Sequence, residues 1–404
     1  MQMSGGANPG SGRGTQSFLM DQTALRRRGN LKWLSYGEDV LPAFVAEMDY
    51  AVAPAINDAL LRIATEQQYG YPARSGIVTP GYAAEVYSNR MKKMFDWQPD
   101  PDNVIVVSDL VQAIFTTVLA FSQEGDRIAI QEPCYPPFRD AITSTGRTFV
   151  PVKTVDYRSR LSIDFDDLAE CVRPQTRVLM LCNPHNPTGR VLDRQELEKL
   201  AALAIEHDML IISDEVHCEI TFDQYRHIPI ASINDEIAKR TITLGSAAKS
   251  FNTAGLKSAF VHFGTAALRE RYLKVFPRRV IVPGQIMGIA ATVAAWEHSH
   301  QWQADVLSYL ADMRGLLMRR LKEELPEIRV HAPEGTYMAW LDCSALKLNR
   351  PAYNFFLAEA RVALSAGETF LTGGEAFARM NFATSEPILS EILQRMTHAV
   401  RSRA

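Results

Sequence analysis

Cysteine is scarce in this 404-residue chain. The five thiols, at positions 134, 171, 182, 218 and 343, are odd in number and far apart, and no two form a C-x-x-C pair. That spacing argues against a disulfide framework and against a thiolate zinc site, and it fits a reduced, cytoplasmic protein. Long apolar runs are missing too. The least polar stretch, Ile286–Trp296, falls far short of the roughly 20 residues that a membrane helix needs. Charge of one sign is not in excess: 43 Lys and Arg face 46 Asp and Glu, a net charge of −3, so neither nucleic acid nor an anionic membrane is an expected partner. There is no internal repeat. Residues 1–16, rich in Gly and Ser, contain no apolar run of the kind a signal peptide has and are expected to form a disordered tail. Within them Gly10-Ser11-Gly12-Arg13-Gly14 follows no strand and opens no helix, so it does not read as a phosphate loop.

What is present is globular. At 47% hydrophobic and 22% charged residues, a chain of this length can bury two or three domain cores. Apolar runs at Val104–Val107, Arg127–Gln131, Thr148–Val152, Arg177–Cys182, Leu210–Ser213, Thr241–Leu244 and Ala259–Phe263 alternate with helical patterns such as Leu110–Ser122 and Arg194–His207, and Pro54 opens an earlier helix. This alternation predicts an α/β fold with a mostly parallel, seven-stranded-type central sheet covered by helices on both faces. The texture changes near Trp302. A long amphipathic helix runs to about Leu325, and strands follow near Ile328–Val330, Tyr337–Leu341 and Arg379–Phe382. The expected division is a large domain over 51–297 and a smaller α+β domain built from 17–50 and 298–404.

The most informative stretch is TITLGSAAKSFNTAGLK (241–257), where Lys249 stands among small residues just past a buried strand. Most lysines after a strand are solvated, and a buried one is paired or covalently used. Burial lowers the pKa of an amine, as a Schiff-base lysine requires. Ser246-Ala247-Ala248-Lys249 also matches the S-x-x-K of serine acyl enzymes. The chain has no K-T-G, and Tyr87-Ser88-Asn89 precedes the S-x-x-K, so that reading fails. In open α/β sheets ligands bind beyond the carboxyl ends of the strands. The first strand ends at Ser108-Asp109 and enters a helix, leaving the Leu110 and Val111 amides free for a phosphate. The fourth strand ends in Asn183-Pro184-His185-Asn186-Pro187-Thr188-Gly189, the fifth in Asp214, and the sixth in Ser246 and Lys249. Each alone reads as a turn or a cap. Gathered on one crevice, they point to an anionic aromatic cofactor bound to a lysine.

CNPHNPTG (182–189), SDEVH (213–217), SAAKSFNTAGLK (246–257) and ARMNFA (378–383) resemble, in order and spacing, the fold-type I pyridoxal-phosphate (PLP) enzymes of the class I/II aminotransferase group. The resemblance extends from about residue 30 to the C-terminus. Within the group, FVAEMDYAVAPAI (44–56), YGYP (69–72), EPCYPPF (132–138) and GTYMAWLDCSAL (335–346) are most similar to the cystathionine β-lyase-like carbon–sulfur lyases.

The resemblance implies a role for each residue. Lys249 is the Schiff-base lysine and the acid/base at Cα, Asp214 holds the pyridine nitrogen, Asn183 donates to the ring 3-oxygen and Tyr135 stacks on the ring. The Leu110 and Val111 amides, Ser246 and Lys257 hold the phosphate, and Arg379 clamps the carboxylate of an amino-acid substrate. Tyr71 reaches the phosphate of a neighbouring subunit, which makes the protein a homodimer with composite sites. His217 either supports Asp214 or is a satisfied buried histidine. Asp109 departs from the family, many members of which carry Gly there. A carboxylate beside a phosphate is unfavourable unless it caps the helix and points away.

The implied reaction is α,β-elimination of an S-substituted cysteine to thiol, pyruvate and ammonia. The alternatives are an aminotransferase, a specialised lyase or oxidative deaminase acting on a cysteine conjugate in secondary metabolism, and a non-enzymatic PLP-binding regulator.

Overall fold

The computed structural model describes residues 17–71, 75–157, 159–281 and 284–403, so the tail 1–16 lies outside the described residues. Seven strands form the central sheet: β1 (Val104–Val107), β2 (Arg127–Gln131), β3 (Thr148–Val152), β4 (Thr176–Cys182), β5 (Leu210–Asp214), β6 (Thr241–Gly245) and β7 (Ala259–Phe263). Their order across the sheet is β1-β7-β6-β5-β4-β2-β3. Only β7 runs opposite to the other six, pairing antiparallel with β1 and β6. Successive side chains feed two separate cores. Ile130, Met180, Ile212 and Leu244 pack on one face, while Ala129, Leu179, Leu181 and Ile211 pack on the other. Strands buried on both faces need near-continuous apolar sequence, and for that reason these runs stood out without alternation.

Several helices were not legible, and two of them show why. Pro80–Phe95 forms a helix capped by Thr79, whose hydroxyl accepts from the Tyr82 amide. Its apolar stripe is interrupted by Arg90, which is buried and paired with Glu219 at 2.8 Å, so the helical periodicity is broken by a charge. Ile286–His298 is a helix buried almost all round, packed on helix Pro54–Thr65. Its lack of a polar face hid the helical period. His298-Ser299-His300 is the junction between it and the long helix His300–Glu324. Among the described residues no helix is long and apolar enough to cross a membrane.

A second, antiparallel sheet contains β8 (Arg329–Val330), β9 (Met338–Asp342), β10 (Ser365–Ala366) and β11 (Phe377–Asn381), in the order β8-β9-β11-β10. The segment before the first long helix forms a separate two-stranded parallel sheet beside this one and bonds to it. Leu41 and Pro42 pair with Val362 and Ala363, and the Asp49 amide donates to Ala383 O at 2.9 Å. Side-chain amides then hold the backbone of 45–50 from two sides. Asn381 Nδ2 donates to Val45 O and Glu47 O, both at 2.7 Å, and Asn252 bonds the Met48 amide, Met48 O and Tyr50 O. Asn252 does so from a left-handed conformation, φ 59°, that asparagine tolerates better than most side chains. Beneath this segment Lys32 and Asp49, each 1% exposed, form an ion pair at 2.9 Å, and Trp33 Nε1 donates to Asp49 Oδ1 at 2.7 Å.

Removing one partner of a buried pair strands the other charge. Lys32→Met should therefore lower stability by about 3–5 kcal/mol, read as a drop in the urea midpoint, and adding Asp49→Asn should recover most of the loss. An equally unstable double variant would show that the pair contributes through packing rather than charge.

Candidate active site

The carboxyl ends of β1, β4, β5 and β6 open onto a cavity of about 370 Å³. Its wall includes Leu110, Val111, Tyr135, Asp214, His217, Ser246, Lys249, Lys257 and Arg379, nine residues that the sequence placed in one site. Lys249 follows directly from the packing of β6, whose five residues are all buried. Ser246 Oγ donates to Ser258 O at 2.7 Å and accepts from the Ala248 amide at 3.1 Å, so the chain turns at once and presents Lys249 inward. Its Nζ donates to Ala46 O at 2.9 Å, and Tyr337 Oη donates to the same carbonyl at 3.1 Å.

Charge in this cavity is held away from water. Burial, with the Arg379 cation adding to it, lowers the Lys249 pKa to about 8. Burial raises Asp214 to about 7 against the opposing effects of the Val216 amide, which donates to Asp214 Oδ1 at 3.1 Å, and of the Lys249 charge. Burial also lowers Arg379 to about 10, which leaves it a cation at neutral pH. His217 is pushed well below its usual value, first by burial and then by the Lys249 and Arg379 charges, so it is neutral.

The phosphate end is a helix N-terminus. Leu110 and Val111 open helix Leu110–Phe121, and their amides have no intrahelical partner. Asp109 is the cap: its Oδ1 accepts from the Gln112 amide at 2.8 Å, and its Oδ2 pairs with Lys257 Nζ at 3.1 Å. The carboxylate is thus engaged by the helix and by Lys257, while Asp109 still lines the cavity.

The geometry corrects the sequence reading at two residues, Asn183 and His217. Asn183 is not in the cavity. Its Oδ1 accepts from the Leu192 amide at 3.0 Å and its Nδ2 lies 3.4 Å from His227 Nδ1, so the side chain is committed behind the strand ends. Asn186, three residues on in the same turn, lines the cavity instead and accepts from Arg379 at 2.9 Å. The repeated Asn-Pro was the available signal, and only the path of the turn decides which Asn faces inward. His217 does not support Asp214 and is not satisfied. Its Nδ1 has no hydrogen-bond partner and its ring meets Tyr337 edge-on at 5.8 Å. Tyr71, expected to serve a neighbouring subunit, is fully exposed and does not line the cavity of its own chain.

Residues missed from the sequence include Val45 and Ala46 on the wall, and Ser365, whose Oγ accepts from Arg379 at 3.0 Å. The turn is also locked to the second sheet. Gly189, at φ +73°, has no room for a side chain, since a Cβ would lie 2.7 Å from Pro333, and its carbonyl accepts from the Glu334 and Gly335 amides at 2.8 Å.

These residues fit pyridoxal phosphate. A desolvated amine, a buried carboxyl group, an aromatic ring in Tyr135, and a phosphate cradle of two free amides, a hydroxyl and Lys257 match its aldehyde, pyridine nitrogen, ring and phosphate.

Similarity to known proteins follows the same lines. Cystathionine beta-lyase PatB of Bacillus subtilis is 29% identical over 379 residues, covering 92% of this chain and 96% of that protein. Aspartate aminotransferase of Pyrococcus abyssi is 28% identical over 324 residues, covering 79% and 82%. The crystal structure of the PLP-bound C-S lyase from Staphylococcus hominis superposes with a TM-score of 0.87 at 25% identity, covering 96% of this chain and 98% of that one. The family model for aminotransferase class I and II matches residues 49–396, the stretch that carries every cavity residue but Val45 and Ala46. Together with the lysine, carboxyl and arginine gathered at the strand ends, that match means the chain belongs to the class I and II aminotransferase family.

Proposed function

We propose that the protein is a PLP-dependent carbon–sulfur β-lyase that cleaves an S-substituted cysteine to thiol, pyruvate and ammonia. The observation that carries this reading is one cavity holding Lys249, with its pKa near 8, beside Asp214 and a buried Arg379 that has no carboxylate partner among the described residues. Similarity to proteins named cystathionine beta-lyase and C-S lyase supports the choice of elimination. When bound, pyridoxal phosphate supplies a sink for the electrons of the broken Cα–H bond.

The chain's residues do the rest. Lys249 in its uncharged form takes the Cα proton, and its low pKa makes it available as a base near neutral pH. Asp214 holds the pyridine nitrogen, and Asn186, in place of Asn183, serves the ring 3-oxygen. Tyr135 would pack against the ring, and His217 stands on the wall of the same cavity. The Leu110 and Val111 amides, Ser246 and Lys257 bind the phosphate. Arg379 holds the substrate carboxylate, which fixes the bond at Cα that breaks.

Transamination is the second reading, because the family includes proteins named aminotransferase. A homodimer in a cytoplasmic setting accompanies the proposal. Tyr71 and Ile77 are exposed apolar residues lining a groove beside helices Pro54–Thr65 and Ile286–His298, and a second copy would cover them and bring Tyr71 to its partner's phosphate.

Three outcomes are expected. Only the uncharged amine captures an aldehyde. Because the folded pKa of Lys249 is lowered to about 8, cofactor capture by the apoprotein should rise through pH 8 and be level above pH 9. Stopped-flow absorbance reads this, and borohydride reduction should leave a pyridoxyl group on Lys249 by mass spectrometry. A rate still climbing at pH 10, or the adduct on another lysine, refutes the assignment.

A cysteine thioether supplied without keto acid should give thiol, pyruvate and ammonia in equal amounts over many turnovers. Arrest after one equivalent, relieved by a keto acid, would establish transamination instead.

Finally, Tyr71→Ala and Lys249→Ala subunits should each be inactive and regain activity on mixing, since a hybrid dimer holds one intact site. Verified subunit exchange without recovery removes Tyr71 from the site.

A further inference from the structure

Arg379 is a buried cation without a carboxylate partner among the described residues, and the way it is held is specific. It stands on β11 with Trp340 of β9 and Ser365 of β10 as its cross-strand neighbours. Its two terminal nitrogens donate to Asn186 Oδ1 and Ser365 Oγ at 2.9 and 3.0 Å, while Nε has no partner. The guanidinium carbon lies over the face of the Phe370 ring, with Cζ 4.8 Å from the ring centroid. Phe370 is itself fixed. It is 3% exposed, meets Trp340 edge-on at 5.8 Å, and Trp340 stacks on Phe377 at 5.5 Å.

The loop that carries Phe370 has no slack. Gly367 has no room for a Cβ, which would lie 2.3 Å from Phe377 O. The Phe370 carbonyl accepts from the Cys134 amide at 2.9 Å, and the Thr372 amide and hydroxyl donate to Glu132 Oε1 at 3.2 and 3.0 Å. The ring is therefore braced between the second sheet and the loop that bears Tyr135.

A guanidinium held only by its edges can still tilt about the line joining its two acceptors. An aromatic face removes that freedom, and it attracts the cation through its quadrupole without competing for its donors. We propose that Phe370 is a positioning residue that sets the plane of Arg379, so that recognition of the substrate α-carboxylate depends on the π-face of this ring. The inference rests on the reading that Arg379 takes that carboxylate.

The test uses holoenzyme with phenylalanine at 370 replaced by its mono-, tri- and pentafluoro analogues, which keep the shape and weaken the face. Two unreactive ligands are titrated by the change in visible absorbance: 2-methylalanine, which has a carboxylate and no Cα proton, and tert-butylamine, which has neither. The Kd of 2-methylalanine should rise stepwise to about tenfold at pentafluoro, the scale of a desolvated cation–π contact, while that of tert-butylamine stays within about twofold. In the same series KM for an S-substituted cysteine should rise and kcat stay nearly level. A flat series, or equal loss for both ligands, overturns the role of Phe370. Arg379→Leu separates the two levels. If this variant still prefers 2-methylalanine as wild type does, the carboxylate reading falls and this proposal with it. If the preference is lost but the fluorinated series is flat, only the role of Phe370 is overturned.

Discussion

An amine that is to lose its proton near neutral pH must be kept from water by protein on every side, and in this chain that protein comes from distant parts of the sequence. Lys249 arrives on the end of β6, and its nitrogen meets the Ala46 carbonyl, some 200 residues earlier. That carbonyl is held in turn by Tyr337 from the second sheet, and its neighbours by Asn252 and Asn381. The segment 45–50 is thus a strap fastened to both sheets, with the buried Lys32–Asp49 pair beneath it. Burial is the leading cause of the lowered Lys249 pKa, so the strap acts on the reactive group chiefly by desolvating it.

The same desolvation acts on each charge in the cavity and sorts them. It raises the Asp214 carboxyl, lowers Lys249, and lowers Arg379 by too little to discharge it. Three ionisable groups close to one another would otherwise settle into ion pairs and lose their use. Here Arg379 is turned toward neutral acceptors, Asn186 and Ser365, and toward an aromatic face, which leaves its charge uncompensated. His217, neutral and with an unpartnered Nδ1, adds a buried polar atom that the protein alone does not satisfy.

Away from the cavity, a buried network joins the Asn-Pro turn to the second sheet. Arg190 pairs with Glu334 at 2.6 Å and with Glu196 at 2.5 Å, and Arg160 pairs with Glu334 at 2.6 Å. Glu334 also accepts from the Val191 amide at 3.0 Å, so both of its oxygens are used. With the Gly189 carbonyl bonded to the same loop, the turn that carries Asn186 has a fixed orientation relative to β11, which carries Arg379. Charges so buried are tolerated because each is paired and hydrogen-bonded.

The sequence by itself determined the fold class, because a sheet buried on both faces demands seven nearly unbroken apolar runs and tolerates few polar residues within them. It determined most of the cavity as well. Polar residues at strand ends can only face the carboxyl edge of such a sheet, so Lys249, Asp214, Ser246 and the Leu110 and Val111 amides were placed by strand position alone. It did not reveal helices Pro80–Phe95 and Ile286–His298, where a buried Arg90 and an all-apolar surface erased the helical period. Nor could it choose between Asn183 and Asn186, since three residues of turn separate them and only the path of the backbone decides which side chain turns inward. What the tertiary structure alone decided is the company each site residue keeps: the Ala46 carbonyl at Lys249, the Phe370 face at Arg379, the Asp109 cap shared with Lys257. Those contacts join residues far apart in the chain, and nothing in local sequence encodes a distance across a packed core.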